Sequence, residues 1–202
     1  MRLLITGFQR FLHHPVNPTE KLVEAVREVG LPGCDVTAEV LPVVYDRSAA
    51  LVRDLVNRVR PDAVVNFGLA FSTDKLLIEQ VALNLDDAPS PDADGLVRTG
   101  RPIDPAAPVA YRTGLPVQAL TAALDAAGLP VGTSRDAGGY ICNHVFYAVR
   151  HHRPDLVAGF IHVPPFPTEV GGQEGRKGLP FDRLLDAARV IAATLAHSRT
   201  DG

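Results

Sequence analysis

DRSAALVRDLVNRVRPDAVVNFG, Asp46 to Gly68, switches period partway along, and the switch decides the fold. Leu51, Leu55 and Val59 recur at helical spacing, Asp46 stands where a capping residue belongs, and Pro61 lies just beyond the helix end. Ala63 to Gly68, AVVNFG, is then a short apolar run of strand length. A buried strand directly after an amphipathic helix is the pattern of a βαβ unit with a parallel sheet.

The same alternation runs outward in both directions. Upstream, Asp35 to Tyr45 is extended and β-branched. Before it, Asn17, Pro18, Thr19 and Glu20 supply an N-cap, a first-turn proline and a capping-box glutamate ahead of Leu22, Val23, Ala25 and Val26. Arg2 to Thr6 reads as a first strand ended by Gly7, and FQRFLHHPV has no clean period and reads as a loop. Downstream, Lys75 to Leu85 is one extended run that sets Glu79 among Ile78, Gln80, Val81 and Ala82. Asp86 to Thr113, rich in Asp, Pro and Gly, reads as a long irregular loop, the kind that serves as a lid, a binding loop or a mobile segment. Pro116 to Ala127 resumes helical spacing, Val131 to Ser134 is a short strand, and DLVAGFIHV, Asp155 to Val163, is a buried strand with His162 near its carboxyl end. Pro164 to Gly178 is irregular, and an amphipathic helix runs from Phe181 to about His197. The expectation is one domain, residues 1–202, of the α/β class: a three-layer α/β/α sandwich on a mainly parallel, twisted sheet. Sites in such folds gather outside the carboxyl ends of the strands, where Phe8, the Gly68 to Ser72 turn and His162 fall.

Composition narrows the partners. A chain of 202 residues buries roughly 70% of its unfolded surface, enough for one substantial domain. The formal charge of −3, with scattered lysine and arginine, gives no reason to expect nucleic acid or an anionic membrane. Only Cys34 and Cys142 are present, which argues for a reduced compartment rather than a disulfide framework. MRLLITG is too short an apolar run for a signal peptide, and no run approaches membrane-spanning length, so a soluble, cytoplasmic protein is expected.

The chemistry centres on AGGYICNHVFY, Ala137 to Tyr147. Gly138 and Gly139 permit a tight entry into a helix whose apolar side carries Val145, Phe146 and Val149. Cys142 then lies in the first turn, where unpaired amides and the helix dipole favour a thiolate and an adjacent oxyanion. Cysteine is also among the most buried residue types, and by itself Cys142 reads as readily as a core residue. With His162 and Glu79 it makes a possible nucleophile, base and orienting acid. His162 also fits a hydrogen-bonded core histidine, and Glu79 an outward residue on an edge strand.

His144, two positions past Cys142, points elsewhere on the helix and reads as structural or supporting. The pairs His13–His14 and His151–His152 lack metal-ligand spacing and read as surface residues. Asp86, Asp87, Asp92 and Asp94 fail the calcium-loop pattern and read as a solvated loop. GGQEGRKG, Gly171 to Gly178, does not fit a phosphate-binding loop. Neither a metal nor an organic cofactor is expected.

Four separated segments resemble the pyroglutamyl-peptidase I (pyrrolidone-carboxylate peptidase) family of cysteine peptidases: TGFQRF at Thr6 to Phe11 with Asn17-Pro18, IEQVALN at Ile78 to Asn84, GYICNHVFY at Gly139 to Tyr147, and GFIHVP at Gly159 to Pro164. The resemblance spans nearly the whole chain. It implies Cys142 as nucleophile, His162 as general base and acid, and Glu79 as third member of a triad. It also implies removal of an N-terminal pyroglutamyl residue from peptides through a thioacyl-enzyme, with Phe8 and Phe11 around the ring, Asn17 supporting that loop, and a homo-oligomer, dimer or tetramer. A small uncharged lactam suits such an aromatic slot.

Departures from the family pattern cluster around the substrate. Arg10 and Leu12-His13 alter the first loop, Leu69, Phe71 and Ser72 replace Gln, Gly and Arg, and Gln80 follows the glutamate in place of arginine. Pro89 stands where the family carries an arginine, and losing one oxyanion donor raises a barrier by about 3 kcal/mol. A second reading is therefore a non-catalytic or weakly active relative that binds a pyroglutamyl-like ligand. A third, a nucleoside phosphorylase on a similar layout, has no phosphate-binding motif to support it.

Overall fold

In the computed structural model, which describes residues 1–11, 15–171 and 175–198, Asp46 to Gly68 forms most of a helix and the strand after it. The helix α2 is Tyr45–Val59 and the strand β3 is Ala63–Leu69. Asp46 is not the cap expected. Val44 holds that position without a side-chain bond, and the Asp46 carboxylate turns aside to the guanidinium of Arg98, a stronger, charge-assisted partner.

Six strands form the central sheet in the order β2 (Asp35–Leu41), β1 (Arg2–Phe8), β3, β10 (Val157–Val163), β4 (Leu76–Glu79) and β9 (Val131–Ser134). The first four are mutually parallel; β4 runs antiparallel to β10, and β9 is parallel to β4. Because side chains alternate along a strand, the sheet feeds two separate cores. Leu3, Ile5, Val65, Phe67, Ile161 and Val163 face one side with helices α1 (Pro18–Val29), α3 (Val117–Ala126) and α5 (Phe181–His197). Leu4, Val64, Ala158 and Phe160 face the other with α2 and α4 (Ile141–His152). The result is the expected three-layer α/β domain.

Capping of α1 follows the sequence in part. Asn17 Oδ1 accepts from the Thr19 amide at 3.0 Å, as its N-cap position predicts. Glu20 does not close a capping box; it reaches across to accept from the Arg10 amide at 3.1 Å and fastens the first loop instead.

Two further expectations need correction. The run from Lys75 to Leu85 is not one strand. At Gln80 the chain leaves the main sheet, its amide bonded to Ser134 O and its carbonyl to Thr113 N, and β5 (Val81–Leu83) pairs with β8 (Ala110–Arg112) in a separate ribbon. Nor is residues 86–113 an irregular, solvated stretch. It contains a second ribbon, β6 (Asp86–Ala88) with β7 (Arg98–Arg101), in which Asp86 is fully buried and Asp92 nearly so. Their burial is compensated: Arg98 Nη1 sits 3.0 Å from Asp86, and Asp92 accepts from the amides of Tyr45, Asp94 and Leu96. Among the described residues no helix is long and apolar enough to cross a membrane.

Candidate active site

Strand register gathers the central residues. Gly68 of β3 is the lateral partner of His162 in β10, and Phe160, two residues earlier, is the partner of Glu79 in β4. Lateral partners share a face, as do residues two apart, so Gly68, Phe160, His162 and Glu79 all point toward α4. Glu79 is thus in an interior strand between β10 and β9, not outward on an edge.

The thiol is brought down onto this row from α4. Cys142 is the second residue of that helix, and a Cβ placed on Gly68 would lie 2.9 Å from its Sγ and 2.6 Å from the Phe160 ring. Only a residue without a side chain lets the sulfur rest against the sheet beside His162. On the far side of the imidazole, Nδ1 is 2.8 Å from Glu79 Oε1. A carboxylate accepts, so Nδ1 carries the hydrogen and Nε2 is the nitrogen available to the thiol. Glu79 is 1% exposed and His162 7%. Burial by itself opposes charge on His162, but its contacts with Cys142 and then with Glu79 outweigh that, and its pKa is raised from 6.5 to about 9. The second Glu79 oxygen, Oε2, is buried without a partner among the described residues.

Residues next to Cys142 hold the helix in place. Asn143 Oδ1 accepts from the Leu83 amide at 2.9 Å, and its Nδ2 donates to the carbonyls of Leu83 and Leu85, each at 2.9 Å. His144 Nδ1 lies 3.0 Å from Asp86, the carboxylate that Arg98 also grips. Before the helix, the Asp87 amide donates to Gly139 O at 2.8 Å, and a side chain on Gly139 would collide with the Asp87 backbone. The segment continuous with Glu79 is therefore clamped three times to the turn that carries Cys142. Tyr140, at the N-cap of α4, makes no side-chain capping bond, so that end of the helix takes none of its first-turn amides.

A cavity of about 340 Å³ opens beside the sulfur. Phe8, Phe11, Asn17, Val43, Leu69 and Phe71 line it, together with Ala88 and Ser90 and, from the start of α4, Tyr140 and Ile141. Phe11 and Tyr140 face each other with centroids 6.0 Å apart. Asn17 shapes the wall as a brace, donating to Gln9 O at 3.2 Å while its oxygen is held by Thr19. Cys142, His162 and Glu79 are in one row, and Phe8, Phe11 and Asn17 are in the adjoining cavity. Pro89 and Arg10 are exposed at the surface. Leu12, His13, His14 and the centre of the Gly171 to Gly178 segment lie outside the described residues; His151 and His152 reach the surface, bonded to Tyr111 and Asn57. Among the described residues no group of three or more His, Cys, Asp or Glu is arranged to hold a metal ion.

Sequence reasoning did not single out Asn143, the Asp86–Arg98–Asp46 cluster, or Tyr140. Asn143 left a signal, an amide within the apolar run of α4, whereas the ion cluster joins three separate segments and left none.

A thiol, an imidazole and a carboxylate in series beside an apolar cavity is the arrangement of cysteine peptidases as a class. A family model described as pyroglutamyl peptidase matches residues 1–198. The pyrrolidone-carboxylate peptidase of Gloeobacter violaceus is 40% identical over 198 residues, 96% of this chain and 97% of that protein. That of Levilactobacillus brevis is 40% identical over 201 residues, 96% of each. Among solved structures, pyrrolidone carboxyl peptidase from Thermococcus litoralis superposes with a TM-score of 0.93 at 31% identity, covering 100% of this chain and 96% of that one. Pyroglutamyl peptidase I of Bacillus amyloliquefaciens gives 0.90 at 32%, covering 97% of both. The chain belongs to the pyroglutamyl peptidase family of cysteine peptidases.

Proposed function

We propose that this protein hydrolyses the amide bond after an N-terminal pyroglutamyl residue, with Cys142 as nucleophile, His162 as proton carrier and Glu79 as its orienting acid. The observation that supports this most is the row of Glu79, His162 and Gly68 with the Cys142 sulfur seated on the glycine. Below about pH 9 the proton shared between Cys142 and His162 rests on imidazole Nε2; the sulfur bonds to the pyroglutamyl carbonyl carbon, and the oxyanion meets the first-turn amides of α4. The imidazolium then gives its proton to the departing amine, leaving a thioacyl-enzyme. Water, deprotonated by His162, releases pyroglutamate and restores the thiol. Phe8, Phe11 and Asn17 form the ring's enclosure, and the substrates are peptides that begin with pyroglutamate. The reading carries with it a reduced, cytoplasmic setting suited to a free thiol, and a homo-oligomer, dimer or tetramer, which sedimentation velocity checks.

A second reading, a pyroglutamyl-like ligand binder with little turnover, is favoured by one observation: among the described residues no guanidinium lines the cavity, and Pro89 stands exposed nearby. Release of a fluorescent amine from a pyroglutamyl amide and from a prolyl amide, under reducing conditions, separates the two. The hydrolase reading expects turnover of the pyroglutamyl amide with strong preference over the prolyl one; binding of pyroglutamate without turnover, by folded protein, would transfer the assignment to the second reading.

A further inference from the structure

The cavity beside Cys142 is walled mostly by carbon, yet the lactam assigned to it above carries a ring N–H and C=O that lose water on entry. An unpaired amide group in such a place weakens binding, so the wall needs a polar partner for it. Of the polar side chains there, Asn17 has its oxygen held by Thr19 and its nitrogen on Gln9 O, and the Tyr140 hydroxyl donates to Pro91 O at 2.7 Å. Cys142 is the reacting group. Ser90 remains: it lines the same cavity, is solvent-exposed, and its hydroxyl has no hydrogen bond to a described residue.

The backbone around Ser90 is stiff. Pro89 and Pro91 flank it, restricting the backbone on both sides, and Pro91 is tied through its carbonyl to Tyr140, one residue before α4. Asp92, next in sequence, is nearly buried and bonded to three backbone amides. A hydroxyl on a strap pinned at that end loses little freedom when it meets a ligand, which is what makes a single neutral hydrogen bond count.

We propose that Ser90 determines specificity for the lactam, its hydroxyl donating to the ring carbonyl oxygen and so distinguishing pyroglutamyl from a five-membered ring without that oxygen. The proposal rests on the pyroglutamyl reading above. Its test compares wild type, Ser90→Ala and Ser90→Thr on pyroglutamyl and prolyl amides, and measures the binding of 2-pyrrolidinone against cyclopentanone by thermal shift. The expected result is a KM for the pyroglutamyl amide raised about three- to tenfold in the alanine variant, the range of one neutral hydrogen bond, with kcat within about twofold and recovery in the threonine variant. Weak prolyl hydrolysis and cyclopentanone binding stay unchanged, and 2-pyrrolidinone binding weakens in parallel with KM. A Ser90→Ala enzyme with unaltered KM and unaltered 2-pyrrolidinone binding, or one that loses both ring types equally, overturns the proposal. Wild type that binds 2-pyrrolidinone more tightly than cyclopentanone without turnover counts against the hydrolase reading alone, and the binding comparison between variants then decides the role of Ser90.

Discussion

At the scale of single residues, the arrangement depends on an atom that is missing. Gly68 has no Cβ, and the space it leaves holds both the Cys142 sulfur and the edge of Phe160. Phe160 is itself in contact with His162, ring centroids 4.9 Å apart, so a methyl group at position 68 displaces the Cys142 sulfur and the His162 ring together. Gly68→Ala is expected to lower kcat on the order of a hundredfold, the effect of a displacement near 1 Å. Steady-state kinetics checks this; a variant with wild-type kcat would show that the sulfur is not seated where the geometry has it. The sequence made His162 and Glu79 legible as candidates because each sets a reactive group in an apolar strand, and Cys142 because it follows a glycine pair into the first turn of a helix. It could not reveal their meeting, which depends on which strands lie side by side.

At the scale of elements, the decisive contact is between α4 and the ribbon that continues from Glu79. Asn143 carries three hydrogen bonds to that ribbon from inside the buried face of α4. Asn143→Ala leaves one amide and two carbonyls without that partner, and is expected to lower unfolding free energy by about 2–4 kcal/mol, measured by denaturant titration. A loss under about 1 kcal/mol would mean that water replaces the side chain. At the end of α2, Arg60 takes a left-handed conformation with φ of 49°, although glycine is the residue suited to that place. Arg60→Gly is expected to raise stability by about 0.5 kcal/mol, readable as a small upward shift in Tm. Helices and strands with strong local periods, α1, α2, α5, β3 and β10, were legible in the sequence for that reason. The ribbons between residues 81 and 112 were not, because their positions are held by Asn143 and His144, distant in sequence, and by Arg98 bridging Asp86 to Asp46, bonds that override the local Asp, Pro and Gly content. Asp46 shows the same limit, since a residue placed to cap its own helix is diverted by a buried arginine.

For the whole molecule, the row of ionisable groups links folding to pH. The His162 pKa is raised from 6.5 to about 9, so binding of its proton stabilises the folded state fully below about 6.5, and that contribution is lost as pH rises through about 9. Wild type is therefore expected to lose more stability between pH 6 and pH 10 than His162→Gln, which has no such proton; parallel losses in the two denaturant series would remove the coupling. Turnover is expected to fall along the same upper limb, as the proton destined for the leaving amine is lost. In the proposed reaction this charge row serves a thiol nucleophile, and the decisive experiment compares Cys142→Ala with wild type on a pyroglutamyl amide. The variant is expected to keep its circular dichroism spectrum and 2-pyrrolidinone binding while turnover drops to the uncatalysed rate; a folded Cys142→Ala protein that still releases the amine would overturn Cys142 as the nucleophile.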